Sequence, residues 1–428
     1  MKWRMRYLTM FVSALLLVAL SFVLWTSNQK KILRIEVYAG SSWDVPNSRE
    51  NRVLDNIIRQ FEKSYPNVKV VYESGIPKKD YDNWLAEKIL KGEQADVFMV
   101  PENDFSMLAS SGAFKSLDSL ISKEEAAAYY PVAYQAGQYQ GHSYALPIES
   151  NPVMMCVNKD LLEKEGISIP DSNWTLEDLY AICQKVTKDT DGDGLIDQYG
   201  ITDYTWKQAL VAYNGHLRNQ NGVNIDSVEM HQALSFISKL DSLNQRYKVT
   251  SNDFDEGKVA FYPMSLAQYR TYKPYPYHVA KYSRFSWTCI PMPAAKARIP
   301  ATQVKTSLFA MSSKTKQDKL AWEFMKLLCQ NHKNQQELFA KSQGTSVLTS
   351  VVKSSQTKKI LQADDFGLDS LTSQRLDHMM KHSVLDISRD LDYHSLERLD
   401  YLLGNALKNN EIDSILPSIQ REMEETGK

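Results

Sequence analysis

At 428 residues the chain is longer than one ordinary compact domain and suits two lobes. Hydrophobic residues at 43% and charged residues at 24% describe a globular chain rather than a disordered one. Fifty basic residues against 51 acidic ones leave a formal net charge of −1, which gives no reason to expect nucleic acid or another polyanion as partner.

The chain opens with Lys2, Arg4 and Arg6 ahead of an uncharged stretch, Tyr7 to Trp25, long enough to span a bilayer. Its basic flank favours the inner side, placing residues from about Ser27 onward outside the cell membrane. Residues 1–32 therefore read as an uncleaved signal anchor, with a long signal peptide cut near Thr26 as the alternative. The first cysteine is Cys156, so a lipid-modified N-terminal cysteine is not expected.

ILRIEVYAG follows as a strand. NRVLDNIIRQFEKSYP then places Val53, Leu54, Ile57, Ile58 and Phe61 on one helical face, with Pro66 ending it. NVKVVYES is a second strand, DYDNWLAEKILKGE a second helix and ADVFMV a buried third strand. This alternation builds a largely parallel sheet covered by helices. Ligands usually sit in loops at the carboxyl ends of such strands, here Ser42–Asp44 and Pro101–Asp104. YALPIESNPVMMCVNKDLLEKEGI later runs from strand into helix, and WTLEDLYAICQKVTK opens with a capping box from Thr175 to Asp178.

DTDGDGLIDQYG resembles a calcium loop. Asp189, Asp191, Asp193 and Asp197 fit its first, third, fifth and ninth positions, and the Leu195 carbonyl fits the seventh. Gly194 suits the sharp turn, but the twelfth position, normally a bidentate Glu, is Gly200. A structural calcium is expected, with a solvated Asp turn as the alternative. Cys156, Cys183, Cys289 and Cys329 show no C-x-x-C spacing and read as small buried hydrophobes, although an even count outside the cell also permits disulfides. No H-E-x-x-H, G-x-S-x-G, Walker or G-x-G-x-x-G pattern nominates a catalyst, and no enzyme activity is expected.

Five stretches carry a resemblance: the first-lobe segment ADVFMVPENDFSMLASSGAFKSLDSLI, the crossing YALPIESNPVMMCVNKDLLEKEGI, the insertion TDGDGLIDQYGI, GKVAFYPMSLAQYR, and LFAMSSKTKQDKLAWEFMKLLCQ with the residues after it. In number, order and spacing the chain resembles the carbohydrate-type extracellular solute-binding proteins of ABC importers, the group containing maltose-binding protein. The resemblance covers nearly all of residues 33–428. It departs from the family where a lipobox Cys or cleavable signal is usual, where QVKTS replaces a Gly-rich segment, and where Leu266 replaces a frequent aromatic residue.

The resemblance implies a two-lobed periplasmic-binding-protein-like α/β fold with a hinge and an interlobe cleft, preceded by an N-terminal membrane helix. Its expected bounds are residues 33–148 with about 262–340 for the first lobe, and 149–261 with about 341–428 for the second. Sugars present apolar faces to aromatic rings and hydroxyls to polar side chains. Trp43 and Asp44 in the first loop, Glu102 after the third strand, and Glu149 and Asn151 at the crossing are the expected ligand contacts. Tyr204 and Trp206 as a stacking platform, and Ser265, Tyr269 and Arg270 after the return strand, complete the set. Two groups among them have a plainer alternative: a surface turn for Trp43 and Asp44, and satisfaction of hinge backbone groups for Glu149 and Asn151. The Tyr- and Pro-rich stretch from Tyr272 to Trp287 is either a cleft rim or a packed loop.

The implied function is capture of a sugar or oligosaccharide by a monomer on the extracellular face and its delivery to ABC permease subunits. A membrane-anchored receptor reporting to a sensor kinase is the alternative, and a glycoside hydrolase a remoter one.

Overall fold

The computed structural model describes residues 30–43, 50–245, 247–272, 285–364 and 370–426. The expected membrane helix, Asp44 and most of the Tyr- and Pro-rich stretch (273–284) lie outside the described residues. No helix among the described residues is long and apolar enough to cross a membrane.

The first strands are β1 (Lys31–Glu36), β2 (Val68–Glu73) and β3 (Val97–Val100), with β1 parallel to both of the others. Helices α1 (Glu50–Ser64) and α2 (Lys78–Lys91) connect them. The apolar spacing in α1 turns Val53, Ile57, Ile58 and Phe61 into the core, as the 3.6-residue repeat requires. Gly92 ends α2 in the left-handed conformation, where its N–H meets the Ile89 carbonyl.

One long strand then organises everything else. β4 (Ala145–Asn158) runs for 14 residues, nearly all of them buried. Its first half pairs antiparallel with β8 (Thr302–Met311), Ala145 facing Ala310 and Pro152 facing Val304, and β8 in turn pairs with β3. The second half pairs antiparallel with β6 (Val259–Ser265) and β7 (Trp287–Ile290), while β5 (Tyr199–Ile201) lies parallel to β6. A strand that leaves one set of partners for another midway is how a single chain can join two lobes. Chain continuity returns to the first set only at β8.

Three apolar clusters follow this division. One packs α1 and α2 on β1, β3, β8 and α7 (Asp318–Cys329). Another packs α3 (Leu176–Val186), α4 (Trp206–Ala212) and α5 (Val228–Leu243) against the second half of β4. The C-terminal helices α9 (Tyr393–Asn409) and α10 (Ile412–Thr426) join this second cluster through Leu399, Leu403, Leu416 and Met423. The third cluster, including Tyr130, Met154, Cys156, Met264, Cys289 and Met380, uses the second half of β4, whose alternate residues Met155 and Val157 belong to the second cluster. The capping box at the head of α3 forms as its sequence dictates: the Asp178 N–H donates to Thr175 Oγ1, and the Thr175 N–H donates to Asp178 Oδ2.

Candidate functional site

At the middle of β4 an apolar run is broken by Glu149, Ser150 and Asn151, all buried. Ser150 and Thr306 share a hydroxyl hydrogen bond of 2.9 Å across to β8. The Glu149 carboxylate accepts from the Gly344 N–H at 2.8 Å and from the Ser342 hydroxyl. Burial raises its pKa to about 7, against the opposing pull of Ser342, Trp43, Gly344 and Arg270. Asn151 Oδ1 accepts the Ala267 N–H at 2.9 Å in the first turn of α6 (Leu266–Tyr272).

Arg270, on the same helix, completes the group. Its Nη1 donates to the Gly344 carbonyl at 2.8 Å and its Nε to Asp364 at 3.1 Å, with the guanidinium 4.5 Å from the Phe339 ring centroid. The structure thus brings Glu149, Asn151 and Arg270 together where the two sets of strands meet, each with one contact to backbone and, for Glu149 and Arg270, a further one to the side chains of Ser342 and Asp364. Glu149 and Asn151 each accept a backbone N–H there, the kind of contact named in their plainer sequence reading. Ser265 caps α6 through the Gln268 N–H, and Tyr269 is fully buried with its ring 5.3 Å from that of Trp287.

A second constellation lies at the carboxyl ends of β1 and β3. Trp43 is buried; its N–H donates to Ser41 Oγ, while its indole Nε1 has no complete hydrogen bond. Lys78 Nζ reaches the Ser42 carbonyl at 2.8 Å. Glu102 follows β3, and its Oε1 is buried without a hydrogen-bond partner. Burial raises its pKa to about 7, opposed by Lys305, Arg389 and Lys78 and reinforced by Asp386. Asp104 behaves alike: burial raises it to about 6, and Asp82 and Asp392 add repulsion.

The facing wall comes from far along the chain. Ile387 and Leu391 sit in the second-lobe cluster, and between them Arg389 reaches across, its Nη2 donating to the Ala136 carbonyl at 3.2 Å and its guanidinium 5.6 Å from the Phe105 ring. Arg389 Nη1 is buried without a partner. Arg218 Nε donates to the Asp390 carbonyl at 2.8 Å, extending this wall. Loops at β1 and β3 and the segment Asp386–Asp392 therefore meet with a mixed, partly unsatisfied set of carboxylates and cations between them. Of this set the sequence singled out Glu102 and the loop holding Asp104. Lys305 lies within QVKTS, noted only as a departure from a Gly-rich segment, and Arg389 was not singled out.

Two expected contacts lie elsewhere. Tyr204 packs edge-on against Phe236, centroids 6.1 Å apart, inside the second-lobe cluster. Trp206 is buried in the same cluster, with its indole N–H donating to Asp400 at 2.8 Å. Neither presents an open ring face for stacking: Tyr204 is buried against Phe236 of α5, and Trp206 is buried with α9 bonded to its indole. A cavity of about 70 Å³ beneath Glu149, lined by Val37, Tyr38, Ile148, Phe309 and Leu338, is well below the roughly 300 Å³ at which small-molecule pockets begin.

In the acidic loop, carboxylate oxygens of Asp189, Asp191 and Asp193 lie within 4.8 Å of one another. Asp189 accepts from the N–H groups of Gly192 and Gly194, both at 2.7 Å, and these interactions hold its pKa below the usual carboxylate value. Gly194 has φ of +90°, a turn that favours glycine. Asp197 points to Thr190 instead, accepting from its hydroxyl at 2.6 Å and its N–H at 2.9 Å. Three carboxylates and a glycine turn fit a hard cation, whereas Asp197 would have to turn from Thr190 to join them.

Residues 56–364 match the family described as bacterial extracellular solute-binding protein. The chain belongs to that family. Among curated relatives, the maltotriose-binding protein of Pyrococcus abyssi is 25% identical over 138 residues, 32% of this chain and 30% of its own length. A putative binding protein of Brucella abortus is 25% identical over 218 residues, 48% of this chain and 52% of its own. The chain thus spans about a third to a half of the curated relatives it matches. In structure it is similar to the sugar-binding protein MalE of Xanthomonas citri, with a TM-score of 0.73, 15% identity and coverage of 92% of this chain and 97% of that one. An ABC substrate-binding protein of Listeria monocytogenes in complex with cycloalternan gives 0.65 at 18% identity, covering 93% and 99%.

These likenesses show the two-lobed α/β periplasmic-binding-protein-like fold. The family and these neighbours are binding proteins rather than enzymes. The sensory-receptor alternative finds no support among them.

Proposed function

We propose that this solute-binding protein captures a sugar or oligosaccharide between its lobes and passes it to an ABC permease. The observation that carries this reading is the pair of buried, unpartnered polar atoms, Glu102 Oε1 and Arg389 Nη1, one on each wall. A sugar hydroxyl both donates and accepts, so it complements a carboxylate on one side and a guanidinium on the other. Asp104 and Lys305 extend the set. Only an arrangement with both walls close contacts the ligand on both faces, so the ligand favours closure.

The strand pairing supports a lobe division in which residues 30–148 and about 302–341 form the first lobe and about 153–301 the second, with the C-terminal helices on the second. In this reading Glu149, Asn151 and Arg270 act as hinge residues. The stretch Tyr7–Trp25 anchors the protein on the outer side of the membrane, and the Asp189–Asp193 loop with the Leu195 carbonyl holds a structural calcium.

Calorimetric titration with malto-oligosaccharides, linear and cyclic, tests the reading. Saturable binding by the wild type, weakened at least tenfold in Glu102→Gln and in Arg389→Ala, supports it; a panel without binding opposes it.

A further inference from the structure

The four cysteines are distributed unevenly. Cys183 belongs to the second-lobe cluster and Cys329 to the first, each fully buried among apolar side chains. Cys156 and Cys289 are different. They face each other in the antiparallel ladder between β4 and β7, and their Sγ atoms lie 3.6 Å apart. Both are fully buried in the third cluster.

Directly opposed residues of an antiparallel pair have Cα atoms about 4.5–5.5 Å apart, inside the roughly 4.4–6.8 Å that a disulfide spans. A small rotation about the Cα–Cβ bonds is all that separates the thiols from bonding distance. Membership of an extracellular family places them on the oxidising side of the membrane, where such pairs persist.

From this register and contact we infer that Cys156 and Cys289 form a disulfide that staples β7 to the crossing strand. Burial in the finished fold shields both sulfurs, so the bond forms while β7 is still docking. One thiolate attacks the disulfide of an external oxidant, such as oxidised glutathione or an exported oxidoreductase, and releases one thiol. The second thiolate then displaces the oxidant's remaining sulfur. The protein's two sulfurs are oxidised, the oxidant's disulfide is reduced to two thiols, and the two protons end on those thiols.

The staple has a local consequence. β7 carries Trp287, whose ring packs on Tyr269, the neighbour of hinge residue Arg270, and the Cys289 N–H donates to the Ser370 carbonyl at 2.9 Å. Fixing β7 therefore fixes the second-lobe side of the hinge. The bond closes a loop of about 130 residues.

The test is to refold the full chain with a glutathione redox couple, denature it without reductant, alkylate and digest. The expected result is a cross-linked peptide joining Cys156 to Cys289, with Cys183 and Cys329 alkylated. Four alkylated cysteines would overturn the inference, and so would a cross-link involving Cys183 or Cys329. Thermal melting gives a second readout: reductant should lower the midpoint by about 5 °C in the oxidised wild type and in Cys183→Ala, and leave the Cys156→Ala/Cys289→Ala double variant unmoved. Equal reductant sensitivity in that double variant contradicts the inference.

Discussion

Glu149 and Arg270 hold the two ends of one residue's backbone: the carboxylate accepts the Gly344 N–H and the guanidinium donates to the Gly344 carbonyl, both at 2.8 Å. One side chain comes from the crossing strand and the other from the helix after β6, so Gly344 joins them. A Cβ there would lie 2.5 Å from a Glu149 carboxylate oxygen and 2.6 Å from its carboxyl carbon. Gly344→Ala should therefore cost about 1–3 kcal/mol in urea unfolding. The same substitution in a Glu149→Ala background should cost much less, as expected of groups in direct contact.

Stability should fall as pH rises from 5.5 to 8. Glu102 and Glu149 have folded pKa values of about 7 and Asp104 about 6, above ordinary values of 4.5 and 3.8. For a raised carboxylate the contribution is complete below the unfolded pKa and is lost as pH passes the folded one. Each glutamate then accounts for about 2 kcal/mol over this window. Glu102→Gln, which keeps the neutral shape, should raise the melting temperature at pH 8 and flatten its pH dependence. An unchanged slope would show that Glu102 is not held neutral by burial.

Trp206 should behave as a core residue. Trp206→Ala should cost about 3–5 kcal/mol, whereas Trp206→Phe, losing chiefly the bond to Asp400, should cost about 1–2 kcal/mol. Sugar affinity measured on the folded fraction should survive either change. A hundredfold loss of affinity with unchanged stability would restore it as a stacking platform.

The acidic loop offers a further check. Asp191→Ala combined with Asp193→Ala should lower the melting temperature more in calcium than in chelator, because without metal each carboxylate accepts one exposed backbone N–H, from Asp193 and Leu195 respectively, whereas bound metal draws on both directly. Equal effects in both media would assign the loop to backbone capping alone.

Local pattern made the first lobe legible. The apolar spacing of Val53, Ile57 and Phe61, and the uninterrupted run of β3, dictate a helix and a doubly covered strand without tertiary information. The polar break at Glu149–Asn151 marked the crossing for the same reason: polar groups in a buried strand need partners. Long-range packing was not legible. Arg389 stands 287 positions after Glu102, and nothing in DISRDLD says which wall it faces. Trp206, at the head of a helix after an exposed loop, looks accessible until α9 brings Asp400 to its indole.

The most direct test is calorimetric titration of an oligosaccharide panel against the wild type and Glu102→Gln, with thermal melting alongside. The account predicts a saturable heat for one glycan class, a stabilisation of roughly 2.7 kcal/mol at a hundred times the dissociation constant, and at least tenfold weaker binding in the variant. Absence of binding to every glycan, or equal affinity in the variant, would contradict it.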